Sequence, residues 1–232
     1  MITLVEAAAK IQDFEGGSLT NRISTLEANL RKTDRATCAS LFQTLRIDSS
    51  LLDSALRLKQ AAGQVNVLVH TFGILLALPH ILKEQEFVES LSLGAGNTGK
   101  SFDLETSHRI AEFKFINWKG GPESIRQNQL FKDFYLLAEY DTSKKRCLYV
   151  VGTTYPLKFL KGGRSLSSVM SRNNKLWGDF KARYGERFSV VSEYYGYRKS
   201  FVHLIDITEI VPQFRSIEEV DLDASNNGNI DV

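Results

Sequence analysis

An aspartate, a glutamate and a lysine near the middle of the chain, Asp103, Glu112 and Lys114, have types and spacing suited to chemistry at a divalent cation. Side chains two positions apart on a strand project from the same face, so Glu112 and Lys114 point together. Asp103 precedes Glu112 by nine residues, across a short turn at Thr106 and Ser107. Antiparallel pairing of the two segments therefore predicts that the carboxyl groups of Asp103 and Glu112 lie side by side.

Two close carboxylates repel each other in a cleft of low dielectric unless a cation lies between them, and oxygen ligands of this kind suit Mg²⁺. A cation at this position would polarise a phosphate ester and lower the pKa of a bound water. The ammonium group of Lys114 would orient that water and offset developing negative charge. The three residues therefore predict a site that depends on Mg²⁺, with Mn²⁺ as an alternative ion.

The stretch Gly94–Ser101, GAGNTGKS, offers a different interpretation because it matches the phosphate-binding pattern GxxxxGK[ST] of nucleotide hydrolases. In such a loop the backbone amides after the glycines begin a helix, whose amino end faces the phosphates. Here the residues that follow alternate between apolar and charged types, as Ile110, Glu112 and Phe113 illustrate. This alternation is typical of a strand, so a nucleotide hydrolase is the less favoured alternative.

The elements that must position these residues are predicted to be strands with helices between them. The runs FVESLSL, SFDLE and RIAEFKFI indicate three strands, followed by a helix that begins near Pro122 and ends near Tyr140. A strand at CLYVVGT, a helix over about 165–184 and strands near FSVVSE and FVHLIDI complete the order. Such interleaving favours the α/β class, with a mixed central sheet flanked by helices.

The remaining segments suggest a division into a helical subdomain at 1–63, a main domain at 64–215 and a disordered acidic tail at 216–232. The run Gln60–Leu82 contains no charged residue and is long enough to span a bilayer. Because it contains several polar side chains and a proline, it is interpreted as a buried core helix, and no membrane association is expected. The separated cysteines Cys38 and Cys147 are consistent with a cytoplasmic protein.

Asp103, eight further residues and then Glu112-Phe113-Lys114 resemble the PD-(D/E)xK nuclease superfamily, which has the restriction-endonuclease-like fold. The resemblance covers roughly residues 64–152 and implies a core of helix, three strands, helix and strand. It implies that Asp103 and Glu112 ligate the metal and that Lys114 is the active-site lysine.

Two further residues follow from the resemblance. Relatives among the recombination nucleases place a glutamine on the helix after the strands. Gln127 is favoured over Gln129 for this role because it shares a helix face with the apolar residues. The family also has an acid on the helix before the strands, which is missing from 64–82. Glu89 is the favoured substitute among three glutamates, Glu84, Glu86 and Glu89.

The charge is unevenly distributed, since residues 144–199 carry 13 basic and 3 acidic side chains while the whole chain has a net charge of +2. Aromatic residues are interleaved with these bases, a combination that suits a polyphosphate backbone. Five of the bases are predicted to contact nucleic acid: Lys158, Lys161, Arg164, Arg172 and Lys175.

Together these features predict a Mg²⁺-dependent nuclease that hydrolyses DNA, of the restriction or repair endonuclease type. The alternative within the same fold is a nucleic-acid-binding protein that has lost the reaction. DNA is the expected partner, and a homodimer is left open.

Overall fold

The computed structural model describes residues 2–31, 33–94, 99–116, 118 and 123–215. The chain divides into two compact units, Met1–Leu68 and Val69–Val232. Three sequence predictions concern positions outside the described residues. These are the centre of the glycine-rich stretch at 95–98, the helix start at Pro122 and the acidic tail at 216–232.

The first unit is helical, as its sequence pattern predicts. It contains α1 (Leu4–Glu15), α2 (Leu19–Leu30), α3 (Arg35–Thr44) and the first part of α4 (Ser49–Ile81). The first three helices each begin after a side chain whose oxygen accepts a hydrogen bond from a backbone N–H in the first turn. These capping residues are Thr3, Ser18 and Asp34.

Helix α4 continues through residue 63, where the sequence predicts the boundary between the helical subdomain and the main domain. A glycine inside a helix costs only about 1 kcal/mol relative to alanine, which is too little to end a helix of this length. Within the described chain, α4 is the single helix long and apolar enough to cross a bilayer, which is weak evidence for a membrane span. The predicted cytoplasmic location therefore stays a prediction.

The interpretation of α4 as a core helix holds for one face of its last turns. Ile74, Ala77 and Ile81 are buried against the sheet, whereas Leu75 and Leu76 are exposed. The buried residues recur at spacings of three and four, so a single stripe of the helix meets the core.

The second unit is an α/β structure with a mixed, open five-stranded sheet flanked by helices, which confirms the predicted class. Its strands are β1 (Val88–Leu91), β2 (Leu104–Thr106), β3 (Arg109–Lys114), β4 (Lys145–Val150) and β5 (Val202–Asp206). Its further helices are α5 (Ser124–Glu139), α6 (Thr154–Leu160), α7 (Leu166–Met170), α8 (Asn174–Tyr184) and α9 (Val191–Arg198). Two short 3₁₀ helices follow β5, at Ile207–Glu209 and Pro212–Phe214.

The strands are adjacent in chain order, from β1 at one edge to β5 at the other. Strand β2 is antiparallel to both β1 and β3, whereas β4 is parallel to β3 and β5 is parallel to β4. The antiparallel pair β2 and β3 is joined by a tight turn, and each parallel connection carries helices, as parallel pairing requires.

Two predictions for the segment between β4 and β5 were wrong. The predicted helix over 165–184 is interrupted at 171–173, giving α7 and α8. The predicted strand at FSVVSE forms only an isolated bridge between Ser165 and Val190, after which α9 begins. The cause is a local cap, because Glu193 accepts hydrogen bonds from the backbone N–H groups of Ser189 and Val190.

The sheet separates two apolar layers. On one side Ile110, Leu148 and Val150 pack against helices α5 to α9. On the other side Phe113 and Tyr149 pack against the last part of α4 and the 3₁₀ helices. Alternate residues of β3 and β4 therefore serve different layers, as the two-residue period of a strand dictates.

Gly73 permits a close approach between α4 and the chain that leaves β3. A side-chain carbon at this position would lie 2.6 Å from the ring of Phe115, well inside contact distance. The same ring meets the imidazole of His70 edge-on, with their centroids 5.7 Å apart. The contact fixes this part of α4 beside the end of β3.

Candidate active site

The turn between β2 and β3 fixes the register that brings the predicted acids together. Leu104 pairs with Ala111 and Glu105 with Ile110, so one position further along the same register Asp103 lies opposite Glu112. The Asp103 carboxylate is anchored there, because its Oδ2 accepts a hydrogen bond from the backbone N–H of Phe113 at 3.0 Å. The structure therefore brings Asp103 and Glu112 side by side, as the sequence predicts.

The two carboxyl groups differ in their electrostatic environment. Burial, together with the nearby carboxylates of Asp133 and Asp103, raises the pKa of Glu112 to about 9. Burial also raises the pKa of Asp103, but hydrogen bonds from His70 and from the Phe113 amide outweigh it and hold that pKa below its usual value. At neutral pH the pair therefore holds one proton, which resides on Glu112.

Lys114 lies between two acids rather than one. Its ammonium nitrogen is 2.7 Å from Asp133 Oδ2 and 3.6 Å from Glu112 Oε2. Burial alone lowers the pKa of Lys114, but the charge of Asp133 and then that of Glu112 outweigh it, so the pKa lies above its usual range. Lys114 therefore remains a cation at neutral pH.

Asp133 is a functional candidate that the sequence reasoning missed. It lies on α5, and its side chain is 9% exposed. Burial raises the pKa of Asp133, and the charge of Lys114 offsets only part of this rise. A signal was present in the sequence, because Asp133 is an acid flanked by the apolar core-facing residues of α5. Buried aspartates are rare unless they have a partner.

His70 on α4 occupies the neighbourhood in which the resemblance implies an additional acid. Its Nε2 atom lies 3.5 Å from Asp103 Oδ1, a distance at the outer limit of a hydrogen bond. The partner of His70 is therefore one of the two predicted metal ligands.

The structure places Glu89, the predicted substitute for that acid, elsewhere. Glu89 is on β1 and its Oε2 accepts a hydrogen bond from Lys144 at 2.5 Å. The same ammonium group is 2.8 Å from Glu105. Glu89 pairs with this lysine and is not part of the acid cluster, which consists of Asp103, Glu112 and Asp133. The reason is that β1 is separated from β3 by β2.

The side chain of Gln127, the predicted helix glutamine, also contacts a residue outside the acid cluster. Its Oε1 accepts a short hydrogen bond from the guanidinium group of Arg164. Gln129 is four residues before Asp133 and therefore shares its helix face, whereas Gln127 is about 120° away from that face. Gln129 lines a cavity together with Lys114. The glutamine beside the site is therefore Gln129, and the sequence prediction that favoured Gln127 chose the other one.

Two adjoining cavities run along the amino-terminal half of α5, and Gln129 lines both. The first has a volume of about 30 Å³ and includes Lys114 and Arg126 among its lining residues. The second has a volume of about 200 Å³ and includes Lys132 and Arg172. Most of the other lining residues are apolar, and we call the four basic residues of the two cavities the cationic path along α5.

The five predicted nucleic-acid contacts have different surroundings. Four are exposed lysines and arginines on or beside α6, α7 and α8, namely Lys158, Lys161, Arg172 and Lys175. Of these, Arg172 lines the larger cavity. Arg164 is half-buried and its guanidinium group is engaged by Gln127 and Ser168.

A second buried ionic cluster lies at the opposite end of β3. The carboxylate of Glu86 accepts two hydrogen bonds of 2.6 Å from Arg109 and one of 2.5 Å from Thr106. Burial raises the pKa of Glu86, but the hydrogen bonds from Arg109 and Thr106 outweigh it and lower the pKa to about 2. Every charge in this cluster has a partner, so we interpret it as structural.

The alternative phosphate loop is not followed by a helix. After Gly99 the described chain passes directly into β2 at Leu104. The amine of Lys100 donates a short hydrogen bond to the carbonyl of Leu91. A loop that feeds a strand lacks the helix amino end that binds phosphate in nucleotide hydrolases.

The donor set of the acid cluster fits a hard divalent cation in its chemistry. Asp103 and Glu112 supply carboxylate oxygens, and the proton retained by Glu112 marks an excess of negative charge that a cation would relieve. Within the described residues, however, no group of three His, Cys, Asp or Glu side chains is arranged to hold a metal ion. The ligand geometry is therefore not preformed among these residues.

Comparison of the chain with models of known protein families, with curated proteins and with solved structures gave no match. The assignment of function therefore depends on the geometry and chemistry of the site itself.

Proposed function

We propose that this protein is a metal-dependent nuclease with a restriction-endonuclease-like core. The observation that carries the proposal is the pairing of Asp103 with Glu112 on adjacent strands, with the ammonium group of Lys114 next to Glu112. The order α4, β1 to β3, α5 and β4 supports the finer fold assignment, because that family has the same order of elements.

Asp103 and Glu112 would hold a Mg²⁺ ion, with His70 Nε2 as a nearby third donor. The ion would polarise the scissile phosphate and lower the pKa of a bound water. Because Mn²⁺ accepts nitrogen ligands more readily than Mg²⁺ does, His70 favours testing both ions.

Lys114 acts as a fixed cation in this proposal. Asp133 keeps its ammonium group charged and in position, so Lys114 can donate hydrogen bonds but cannot accept a proton. An ammonium group at this place orients a water and stabilises negative charge that develops on the phosphate. The cavity beside Lys114, which Gln129 also lines, has room for about one water molecule.

DNA is the proposed substrate because the cationic path along α5 suits its backbone. Lys132 and Arg172 line the larger cavity and would contact phosphates next to the one that is cut. Such contacts give affinity that depends on salt and not on base sequence.

The test is cleavage of plasmid DNA with Mg²⁺ or Mn²⁺ by the wild type and by Asp103→Ala and Lys114→Ala. We expect both variants to bind DNA and to lose cleavage by about 10²-fold or more, the usual cost of removing one electrostatic stabiliser. Lys59→Ala, an exposed lysine of the first unit, is the matched control and should cut normally. Unchanged cleavage by either site variant would refute the proposal.

A binding protein without nuclease activity is the second candidate, and the absence of a preformed three-ligand group among the described residues favours it. Calorimetric titration with Mn²⁺ separates the two functions. Binding by the wild type that Asp103→Asn abolishes supports the nuclease. DNA binding without ion binding or cleavage supports the second candidate.

A further inference from the structure

Arginine side chains and aromatic rings alternate along the surface formed by the turn before α9, α9 itself, the turn after it and the start of β4. The six members, which we call the arginine–aromatic ladder, are in spatial order Phe188, Arg187, Tyr197, Arg198, Phe201 and Arg146. Each guanidinium carbon lies 4.4 to 5.8 Å from the centroid of the ring or rings that it covers. Guanidinium groups held in this way are attracted to the negative face of the ring.

The ladder is open to solvent. Tyr197 is 41% exposed and Phe201 is 43% exposed, and the Arg187 side chain is also exposed. Large aromatic rings with this much exposure, next to one another and rimmed by charge, mark interaction surfaces. The rings have edges and parts of faces available to a ligand.

Two of the three ladder arginines, Arg187 and Arg146, lie in no ion pair with a carboxylate of the described residues. Arg146 instead donates hydrogen bonds to the backbone carbonyls of Tyr140 and Thr142. The nearby acid Glu186 is paired with Lys181. The ladder therefore presents net positive charge.

The base of the ladder is rigid. Glu139, at the end of α5, accepts hydrogen bonds from Arg198 at 2.8 Å and from the hydroxyl groups of Tyr184 and Tyr194 at 2.6 Å. The Glu139 side chain is 6% exposed, so its negative charge interacts with this network and not with solvent. A surface that is fixed before binding loses little conformational entropy when a ligand arrives.

We propose that the arginine–aromatic ladder binds single-stranded nucleic acid. The guanidinium groups would contact phosphates, and the exposed rings of Tyr197 and Phe201 would stack on unpaired bases. A duplex hides its base faces, so exposed rings favour a single strand. The choice of nucleic acid over another polyanion rests on the proposed nuclease function.

The ladder is separate from the acid cluster. In the parallel pair of β3 and β4, Arg146 lies beside Ile110 whereas Lys114 lies beside Val150, four residues further along. This separation is about 13 Å along the strands. A strand bound at the ladder would thus have a second point of attachment outside the acid cluster.

The test measures the anisotropy of a fluorescent oligothymidylate in EDTA, so that no cleavage occurs and metal binding plays no part. We expect Arg187→Ala and Tyr197→Leu to bind about five- to ten-fold more weakly than the wild type, while Tyr197→Phe retains the ring and binds normally. Arg187→Ala should also reduce the slope of log affinity against log salt by about 0.7. Lys59→Ala removes one exposed positive charge outside the ladder without freeing a carboxylate beside it, and is the matched control.

Three results would overturn the inference. The first is normal binding by both Arg187→Ala and Tyr197→Leu, with circular dichroism showing that they are folded. The second is an equal loss in Lys59→Ala, which would reduce the effect to net charge. The third is equal competition by a duplex or by polyglutamate, which would assign the ladder to duplex DNA or to an acidic protein. Asp103→Ala should bind the oligonucleotide normally, so failure of the ladder and failure of the nuclease proposal are distinguishable.

Discussion

The two ends of β3 carry buried ionic clusters of opposite character. At its start, Arg109 and Glu86 form a matched pair in which both carboxylate oxygens accept hydrogen bonds. At its end, three acids surround one lysine, and Glu112 retains a proton to a pKa of about 9. The comparison teaches that burial of charged groups alone does not indicate a functional site. A buried cluster whose positive and negative charges do not balance is a better indicator, because such a cluster lowers the stability of the fold.

The largest stability effect is expected at the matched pair. Glu86→Gln removes the negative charge and leaves the buried guanidinium group of Arg109 without its partner. We expect a loss of about 3–5 kcal/mol in the free energy of unfolding, measured by urea denaturation at neutral pH. A loss below about 1 kcal/mol would mean that the pair does not hold β3 in place.

Acid should remove most of the same contribution from the wild type. The folded pKa of Glu86 is about 2, below its ordinary value of 4.5. The stability that it contributes is therefore fully present above pH 4.5 and is lost as the pH falls through about 2. The shift corresponds to about 3 kcal/mol. Urea midpoints over this range should fall for the wild type more steeply than for Glu86→Gln, and parallel curves would contradict the assignment.

The unbalanced cluster should respond with the opposite sign. The folded pKa of Glu112 is raised, so its contribution is present below pH 4.5 and is lost as the pH rises through about 9. Glu112→Gln cannot ionise, and we expect it to be more stable than the wild type by at least about 1 kcal/mol at pH 8. Thermal unfolding at several pH values measures the difference.

Glu89→Gln is the matched control for that experiment. Glu89 forms an exposed ion pair with Lys144, and its replacement should change stability by less than about 0.5 kcal/mol. Destabilisation of the protein by Glu112→Gln would show that the acids at the end of β3 are balanced after all, and the contrast between the two clusters would disappear.

The sequence predicted the sheet and the pairing of Asp103 with Glu112 because both depend on local rules. The two-residue period fixes which side chains share a face, and a tight turn fixes the register of a hairpin. These rules need no knowledge of distant parts of the chain.

The partners supplied by helices could not be predicted in the same way. The choice of Gln127 assumed that the site lies on the face of α5 that carries the phenylalanines, whereas Asp133 marks a face beside it. His70 and Asp103 are far apart in sequence, and their contact depends on how α4 packs on the sheet. Helix phase and packing are tertiary properties, and the local pattern leaves them open.

The acid cluster depends on Gly73, a residue that carries no functional group. Because the ring of Phe115 fills the space of the absent side chain, even a methyl group at this position would have to displace that ring, which belongs to the residue just after Lys114. A mutagenesis screen scored only for activity would then register a substitution in this helix through ring packing rather than through chemistry.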